Sequence, residues 1–216
     1  MSTRKISNPL ALAVLACLFE RPMHPYEVAS TLRERRKDES IKLNYGSLYA
    51  IVESMRKRKL IEEQETEREG NRPERTVYRL TDAGRFELMD WLSELVCHPI
   101  KEYTQFEAGL CLLPVLPPGQ AIDLLKERCD ALAIEIEQAH ARAAYCRKLH
   151  LPRLFSIESE YKTKLMEAEL AWVQRLVAEI ESGKLEGTVE WRNLHPGEPH
   201  RGKERKYTAK KPESSS

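Results

Sequence analysis

The hydrophobic period of the chain changes near Leu60, and this change limits the folds open to it. Up to that point, three short apolar stripes recur at the three-and-four residue spacing of helices. Asn8 is a good cap and Pro9 a good first helical residue for the first of these helices. The three helices are predicted at about residues 9–20, 25–36 and 45–58, with Tyr26, Val28, Ala29 and Leu32 facing inward on the second.

Beyond Leu60 the pattern alternates with the period of two that strands require. Gly70-Asn71 supplies turn chemistry, and Thr76, Tyr78 and Leu80 share one face of the returning strand. Thr81-Asp82 then caps a fourth helix that runs to about Val96. Three helices, a hairpin and a fourth helix follow the order of a winged helix-turn-helix domain, which we assign to residues 1–96.

The second half of the chain carries two long helices. From Ile122 to Cys146, apolar side chains recur at alternating steps of three and four, as in a coiled coil. After a turn at Leu151-Pro152, a second helix reaches about Ser182, and its apolar arc is wider than one antiparallel neighbour can cover. The arc combines two stripes, Tyr161, Leu165, Ala168, Trp172 and Leu176 on one side and Met166, Leu170, Val173, Val177 and Ile180 beside it.

A second copy of the chain is the expected cover for that arc, so we assign residues 97–195 to an all-helical dimerisation domain with two long antiparallel helices. The fold class is therefore mainly α, with a small β-hairpin wing. Residues 196–216 have almost no apolar side chains and are predicted to be a disordered basic tail. An extra phosphate-binding arm is the alternative interpretation of this tail.

Charge is unevenly distributed along the chain. The whole sequence has 35 Lys and Arg against 34 Asp and Glu, a formal net charge of +1. Residues 1–60 alone carry 12 basic and 6 acidic side chains. This asymmetry favours an anionic partner for the N-terminal part.

The sequence carries no motif of familiar enzyme chemistry. It contains no Gly-rich phosphate loop, no Gly-x-Ser-x-Gly elbow and no His-Glu-x-x-His pair. Cys97-His98 is the only adjacent pair of Cys and His, and sequence neighbours rarely reach the same ion. We therefore expect no enzyme activity, no cofactor and no metal.

The cysteines and the first apolar run bear on the compartment. The five cysteines are odd in number and far apart, which predicts reduced core residues of a cytoplasmic protein. The run Leu10 to Phe19 follows Arg4 and Lys5 and could be taken for a secretory signal. It is too short for a bilayer, which needs ~20 residues, and its Asn-Pro start favours a buried helix, so no membrane is expected.

A nucleic-acid interface has better support than enzyme chemistry. The third helix of a helix-turn-helix unit enters the major groove by its N-terminal residues, which should be polar, small or aromatic. Arg56-Lys57-Arg58-Lys59 could lie by phosphates or simply complement the helix dipole, and both interpretations stay open. The groove-facing candidates are Asn44, Tyr45, Gly46, Ser47, Tyr49 and Ala50, and the wing candidates at the hairpin tip are Asn71, Arg72 and Arg75.

Three segments occur in an order and at a spacing that resemble the PadR family of bacterial transcriptional regulators. They are residues 21–27 (RPMHPYE), 44–49 (NYGSLY) and 72–85 (RPERTVYRLTDAGR). The resemblance covers about residues 8–96. It implies a winged-helix repressor, or less often an activator, that dimerises through C-terminal helices and binds palindromic promoter DNA.

The resemblance also assigns residues and a ligand class. It implies that Tyr49 anchors the recognition helix, that residues 44–47 and Ala50 face the groove, and that Arg72 and Arg75 lie on the wing. Some members respond to phenolic acids or drug-like molecules, so a small-molecule effector joins the expected partners. Lys59 stands where the family usually has Gly, which predicts a left-handed Lys59 at a cost of roughly 1 kcal/mol.

The predicted function is thus a homodimeric, sequence-specific regulator of the repressor type, with double-stranded DNA as its partner. The alternative is a winged-helix and coiled-coil adaptor that binds proteins and not DNA. Loss of polarity on the groove face would favour the adaptor, and residues 44–50 show no such loss. An enzyme with a helical catalytic domain would need a buried carboxylate pair or a bound metal.

Overall fold

The computed structural model describes residues 8–64 and 76–196. The chain divides into two compact units, and the boundary in the sequence lies between Glu102 and Tyr103. The division after Val96 stays a prediction, and the predicted tail lies outside the described residues apart from Pro196.

The N-terminal unit packs helices around one core and carries a two-stranded antiparallel hairpin. Ile61 pairs with Leu80 and Gln64 with Val77, and the facing residues Glu62 and Arg79 form an ion pair of 2.7 Å. This arrangement confirms the predicted winged helix-turn-helix architecture. Its elements are α1 (Pro9–Glu20), α2 (Pro25–Glu34), α3 (Tyr45–Lys57), β1 (Ile61–Gln64), β2 (Val77–Leu80) and α4 (Asp82–Cys97), with a 3-10 turn at Lys37–Glu39.

Side-chain caps fix where these helices begin. The Asn8 Oδ1 atom accepts the backbone N–H of Leu10 at 2.9 Å, as its sequence position predicts. At α2, the His24 side chain accepts the N–H of Tyr26, and Glu27 accepts the N–H of His24 at 2.9 Å. These reciprocal bonds form a capping box, which sets the entry of the chain into the helix-turn-helix pair.

The passage from α3 into the hairpin uses the left-handed residue expected from the sequence. Lys59 has φ +58°, which confirms the prediction drawn from the missing glycine. Thr81 then ties the start of α4 to this passage, because its hydroxyl lies 2.8 Å from the carbonyl oxygen of Lys59 and its N–H donates to that of Leu60. The start of α4 is therefore fixed to the turn that links α3 to the hairpin.

Several predicted core positions are wrong. Tyr26 is 57% exposed, since it lies on the flank of α2 while Val28, Ala29 and Leu32 face the core. Cys97 and Cys111 are exposed, so only Cys17 of the five free cysteines is a fully buried core residue.

The C-terminal unit is built on a helical hairpin. Lys126 contacts Glu181 and His140 contacts Glu167, so residues later in one long helix meet residues earlier in the other, and the two helices are antiparallel. A short helix that ends at Cys111 precedes them, and the 3-10 turn Leu113–Val115 around Pro114 follows it. The helices are α5 (Gln105–Cys111), α6 (Pro118–Lys148), α7 (Ile157–Glu181) and α8 (Thr188–Asn193).

Among the described residues, one of the two apolar stripes of α7 is covered and the other is largely exposed. Met166, Val173, Val177 and Ile180 are buried in the hairpin cores. The neighbouring stripe is open, with Tyr161 67%, Leu165 53% and Trp172 42% exposed.

A helix that spans a membrane needs a long apolar stretch. Among the described residues, no helix is both long and apolar enough to cross a bilayer.

Candidate nucleic-acid interface

The first turn of α3 projects small and polar groups from a buried support. Leu48 has no exposed surface, and Val52 and Met55 continue the buried side of the helix. Gly46, Ser47, Tyr49 and Ala50 are exposed on the other side. The helix is thus held by its apolar face with a reading face free, as entry into a major groove requires.

Asn44 has a structural task in addition to its candidate role. It caps α3, and its Oδ1 atom accepts the backbone N–H of Ser47 at 3.2 Å. The carbonyl oxygen of the side chain is therefore used within the protein, which leaves the amide NH₂ as the group that can donate to a base edge.

Tyr45 is placed differently from its neighbours. Its ring is half-buried against the core, and its hydroxyl accepts a hydrogen bond from the guanidinium of Arg33. The same guanidinium lies over the ring at 4.6 Å from its centre. Tyr45 thus joins the end of α2 to the start of α3.

Tyr49 lies at the rim of an open cleft between α3 and the hairpin. The cleft has a volume of about 380 Å³. Burial raises the pKa of the Tyr78 hydroxyl, so this group stays a protonated donor at neutral pH. The residues that line the cleft are His24, Pro25, Tyr49, Val52, Glu53, Thr76 and Tyr78.

The basic residues at the end of α3 divide into two kinds. Arg56 and Lys57 form ion pairs with Glu53, at 2.9 and 3.5 Å. Arg58 and Lys59 are exposed at the turn into β1. The structure thus separates the basic run, which the sequence treats as one feature, into a neutralised part and an open part.

Two further basic residues lie near the start of α3 and are absent from the sequence-derived site. Arg33 contacts Tyr45, and Lys42 is exposed two residues before the capping Asn44. Both contribute to the positive charge of residues 1–60, which the sequence shows. Their position near the first turn of α3 is not visible in the sequence, because it depends on the path of the chain after α2. The wing candidates Asn71, Arg72 and Arg75 lie outside the described residues.

A metal centre is not assembled in the part of the chain that the structure describes. Over residues 8–64 and 76–196, no three His, Cys, Asp or Glu side chains come together as ligands. The chemistry available at the first turn of α3 is hydrogen bonding and shape, which suits recognition.

Comparison with known proteins agrees with this arrangement. Residues 14–90 match the sequence model of the transcriptional regulator PadR-like family. The match confirms the resemblance to this family that the three sequence segments indicate. A comparison with curated proteins by sequence finds no match.

Three solved structures show the same fold. Bacillus subtilis PadR in complex with operator DNA is 20% identical, with a TM-score of 0.62 over 79% of this chain and 98% of that chain. Bacillus subtilis PadR in complex with p-coumaric acid is 19% identical, with a TM-score of 0.63 over 80% and 98%. The Vibrio cholerae virulence activator AphA is 19% identical, with a TM-score of 0.60 over 80% and 98%.

Proposed function

Because residues 14–90 match the sequence model of the PadR-like family of transcriptional regulators, we propose that this chain is a sequence-specific DNA-binding repressor. The exposed first turn of α3 carries the proposal. Gly46, Ser47 and Ala50 project there while Leu48 beneath them is fully buried. A relative of the same fold has been solved with operator DNA, which supports the same kind of ligand here.

We propose that the chain acts as a homodimer on a palindromic promoter site. The open stripe of Tyr161, Leu165 and Trp172 on α7 supports this, since a monomer would leave it in water. A two-fold dimer would cover the stripe with the same stripe of its partner. It would also present two copies of α3 to half-sites about one helical turn apart.

A small-molecule effector is proposed as the regulator of this binding. Its support is the p-coumaric acid complex of the Bacillus subtilis relative. An effector that favours one spacing of the two reading helices would shift the affinity for the operator. A DNA-release assay with aromatic acids and hydrophobic cations tests the idea, and an unchanged operator affinity across the panel would count against it.

Selection of bound fragments from the genome that encodes the chain tests the function itself. We expect enrichment of a short palindrome upstream of genes, and lower transcription from those promoters when the protein is added in vitro. No enrichment over random fragments would overturn DNA recognition, whereas higher transcription would overturn only the repressor assignment. We also propose that the protein is cytoplasmic, because its proposed partner is genomic DNA.

A further inference from the structure

A carboxylate lies on the reading face of α3. Glu53 follows Gly46 by seven residues and Tyr49 by four, and these intervals bring side chains to the same side of a helix. Its side chain is 43% exposed and lines the cleft beside Tyr49. A negative charge at this position faces the surface that a polyanion would approach.

Glu53 is engaged by the two nearest cations. Its two carboxylate oxygens accept from Nε and an NH₂ group of Arg56, each at 2.9 Å, so the pair is bidentate. The Nζ atom of Lys57 lies 3.5 Å away. The carboxylate of Glu63 on β1 also lies near Arg56, 3.8 Å from its Nε atom.

The pairing favours the ionised form of both partners. The hydrogen bond with Arg56 lowers the pKa of Glu53, and the same bond raises the pKa of Arg56. Exposed ion pairs add little to folding stability, so stability gives no strong reason for this arrangement. An approaching phosphate is affected in two ways, because the carboxylate occupies the Nε side of the guanidinium and its negative charge offsets the positive charge of Arg56.

We propose that Glu53 is a positioning residue that withholds Arg56 from DNA phosphates and so raises the discrimination between operator and other sequences. The proposal rests on the DNA binding proposed above. Phosphate contacts add affinity for every sequence alike, whereas base contacts add it for the operator only. A clamp on one cation per winged-helix unit therefore lowers the affinity for random DNA without removing a base contact.

The test compares Glu53→Gln with the wild-type protein on operator and on scrambled duplex over a range of salt concentrations. We expect Glu53→Gln to bind scrambled duplex about 3- to 10-fold more tightly at low salt, with a salt slope steeper by about 0.9 for each bound unit. The ratio of operator to scrambled affinity should fall. Unchanged affinity for scrambled duplex and an unchanged slope would overturn the proposal.

Glu160→Gln is the matched control. Glu160 forms the same bidentate pair with Arg153, at 2.8 Å for both bonds, in the C-terminal unit. The substitution changes the net charge by the same amount, so it reports any effect of charge alone. A gain in scrambled-duplex affinity as large as that of Glu53→Gln would overturn the proposal.

The double variant separates the clamp from direct repulsion. In an Arg56→Gln background no Arg56 guanidinium remains to be released, so Glu53→Gln should gain much less affinity for scrambled duplex than it does in the wild-type background. An equal gain would show that the effect of Glu53 does not pass through Arg56 and would overturn the clamp. Loss of operator affinity in Glu53→Gln with scrambled binding unchanged would make Glu53 a base reader instead, since a carboxylate can accept from cytosine.

Two controls keep this test apart from other failures. We expect equal melting temperatures for all variants, because exposed ion pairs contribute little to folding stability, and equal melting temperatures would exclude a folding effect. A wild-type protein that binds neither duplex would overturn the proposed function as well. If the wild-type protein prefers its operator and Glu53→Gln binds both duplexes as the wild type does, the proposed role of Glu53 is overturned and the proposed function is not.

Discussion

Asn44 shows that a single side chain can serve both the fold and the reading surface. Its Oδ1 atom caps α3 through the N–H of Ser47, while its amide NH₂ can donate to a base. Substitutions that keep one of these functions and remove the other distinguish them, because serine also caps helices but has no amide.

We predict different outcomes for two substitutions of Asn44. Asn44→Ala should lower the free energy of unfolding by about 1 kcal/mol through loss of the cap and should also lose operator affinity. Asn44→Ser should keep the stability and lose the affinity. Chemical denaturation and duplex titration of both variants measure the two effects, and a serine variant with wild-type affinity would remove Asn44 from the reading surface.

The cysteines give a second prediction at this scale. Burial raises the pKa of the Cys17 thiol to about 11, so at pH 8 it stays protonated and weakly nucleophilic in the folded state. Cys97 is exposed on α4. A thiol reagent at pH 8 should modify Cys97 in the native protein and Cys17 only after denaturation, as mapped by mass spectrometry. Rapid labelling of native Cys17 would contradict the burial of this side chain.

At the scale of elements, Gly84 is the position where α4 can approach the end of α3 closely. A Cβ atom there would lie 2.0 Å from the carbonyl oxygen of Leu60, far inside contact distance. The sequence shows this glycine within the 72–85 motif but not its reason, because the approach depends on packing between distant parts of the chain.

Gly84→Ala is therefore expected to destabilise the protein by about 2 to 3 kcal/mol, since the neighbouring backbone must shift. Gly109→Ala on α5 is the matched control, because a Cβ atom there meets nothing within 4 Å. Its expected effect is a gain of about 0.5 to 1 kcal/mol from helix propensity. Thermal or chemical melts measure both, and a Gly84→Ala protein as stable as the wild type would contradict the packing.

Much of the N-terminal unit is predictable because local chemistry determines it. Asn8-Pro9 predicts the start of α1, and the change of hydrophobic period near Leu60 predicts the hairpin. Lys59, at a position where the family usually has Gly, is predicted to be left-handed, and it is. Tyr26 is placed wrongly by the same reasoning, since helical spacing alone does not separate the flank of a stripe from its centre.

Pairings between elements are harder to predict. The contact of Arg33 with Tyr45 and the pairing of Arg56 with Glu53 and Glu63 depend on how helices and strands meet. The first-turn residues of α3 are predictable as a group, because a buried Leu48 among small and polar neighbours is visible in the sequence. Their separate tasks are not, since capping by Asn44 and packing of Tyr45 appear only in three dimensions.

At the scale of the whole molecule, the open stripe of α7 predicts the oligomeric state. Light scattering should give about twice the 25.0 kDa mass of the chain. Leu165→Glu should shift the protein towards monomer at micromolar concentration, because Leu165 is 53% exposed in the single chain and a buried carboxylate would disfavour the dimer.

Gln174→Glu is the control for this substitution. Gln174 is exposed on α7 and lies nine residues beyond Leu165, which is half a turn around the helix. Gln174→Glu adds the same charge on the face of α7 opposite Leu165 and should leave the dimer intact. A wild-type monomer at micromolar concentration, or dissociation by both variants alike, would contradict the assignment of this stripe as the dimer interface.

The most direct test of the account is the titration of the wild-type protein and Ser47→Ala against operator and scrambled duplex at several salt concentrations. The wild-type protein should prefer its operator by about 10³-fold or more. Ser47→Ala should lose about 1 to 3 kcal/mol on the operator and almost nothing on scrambled duplex. Equal wild-type affinity for the two duplexes, or an equal loss on both in Ser47→Ala, would contradict the claim that the first turn of α3 reads DNA sequence.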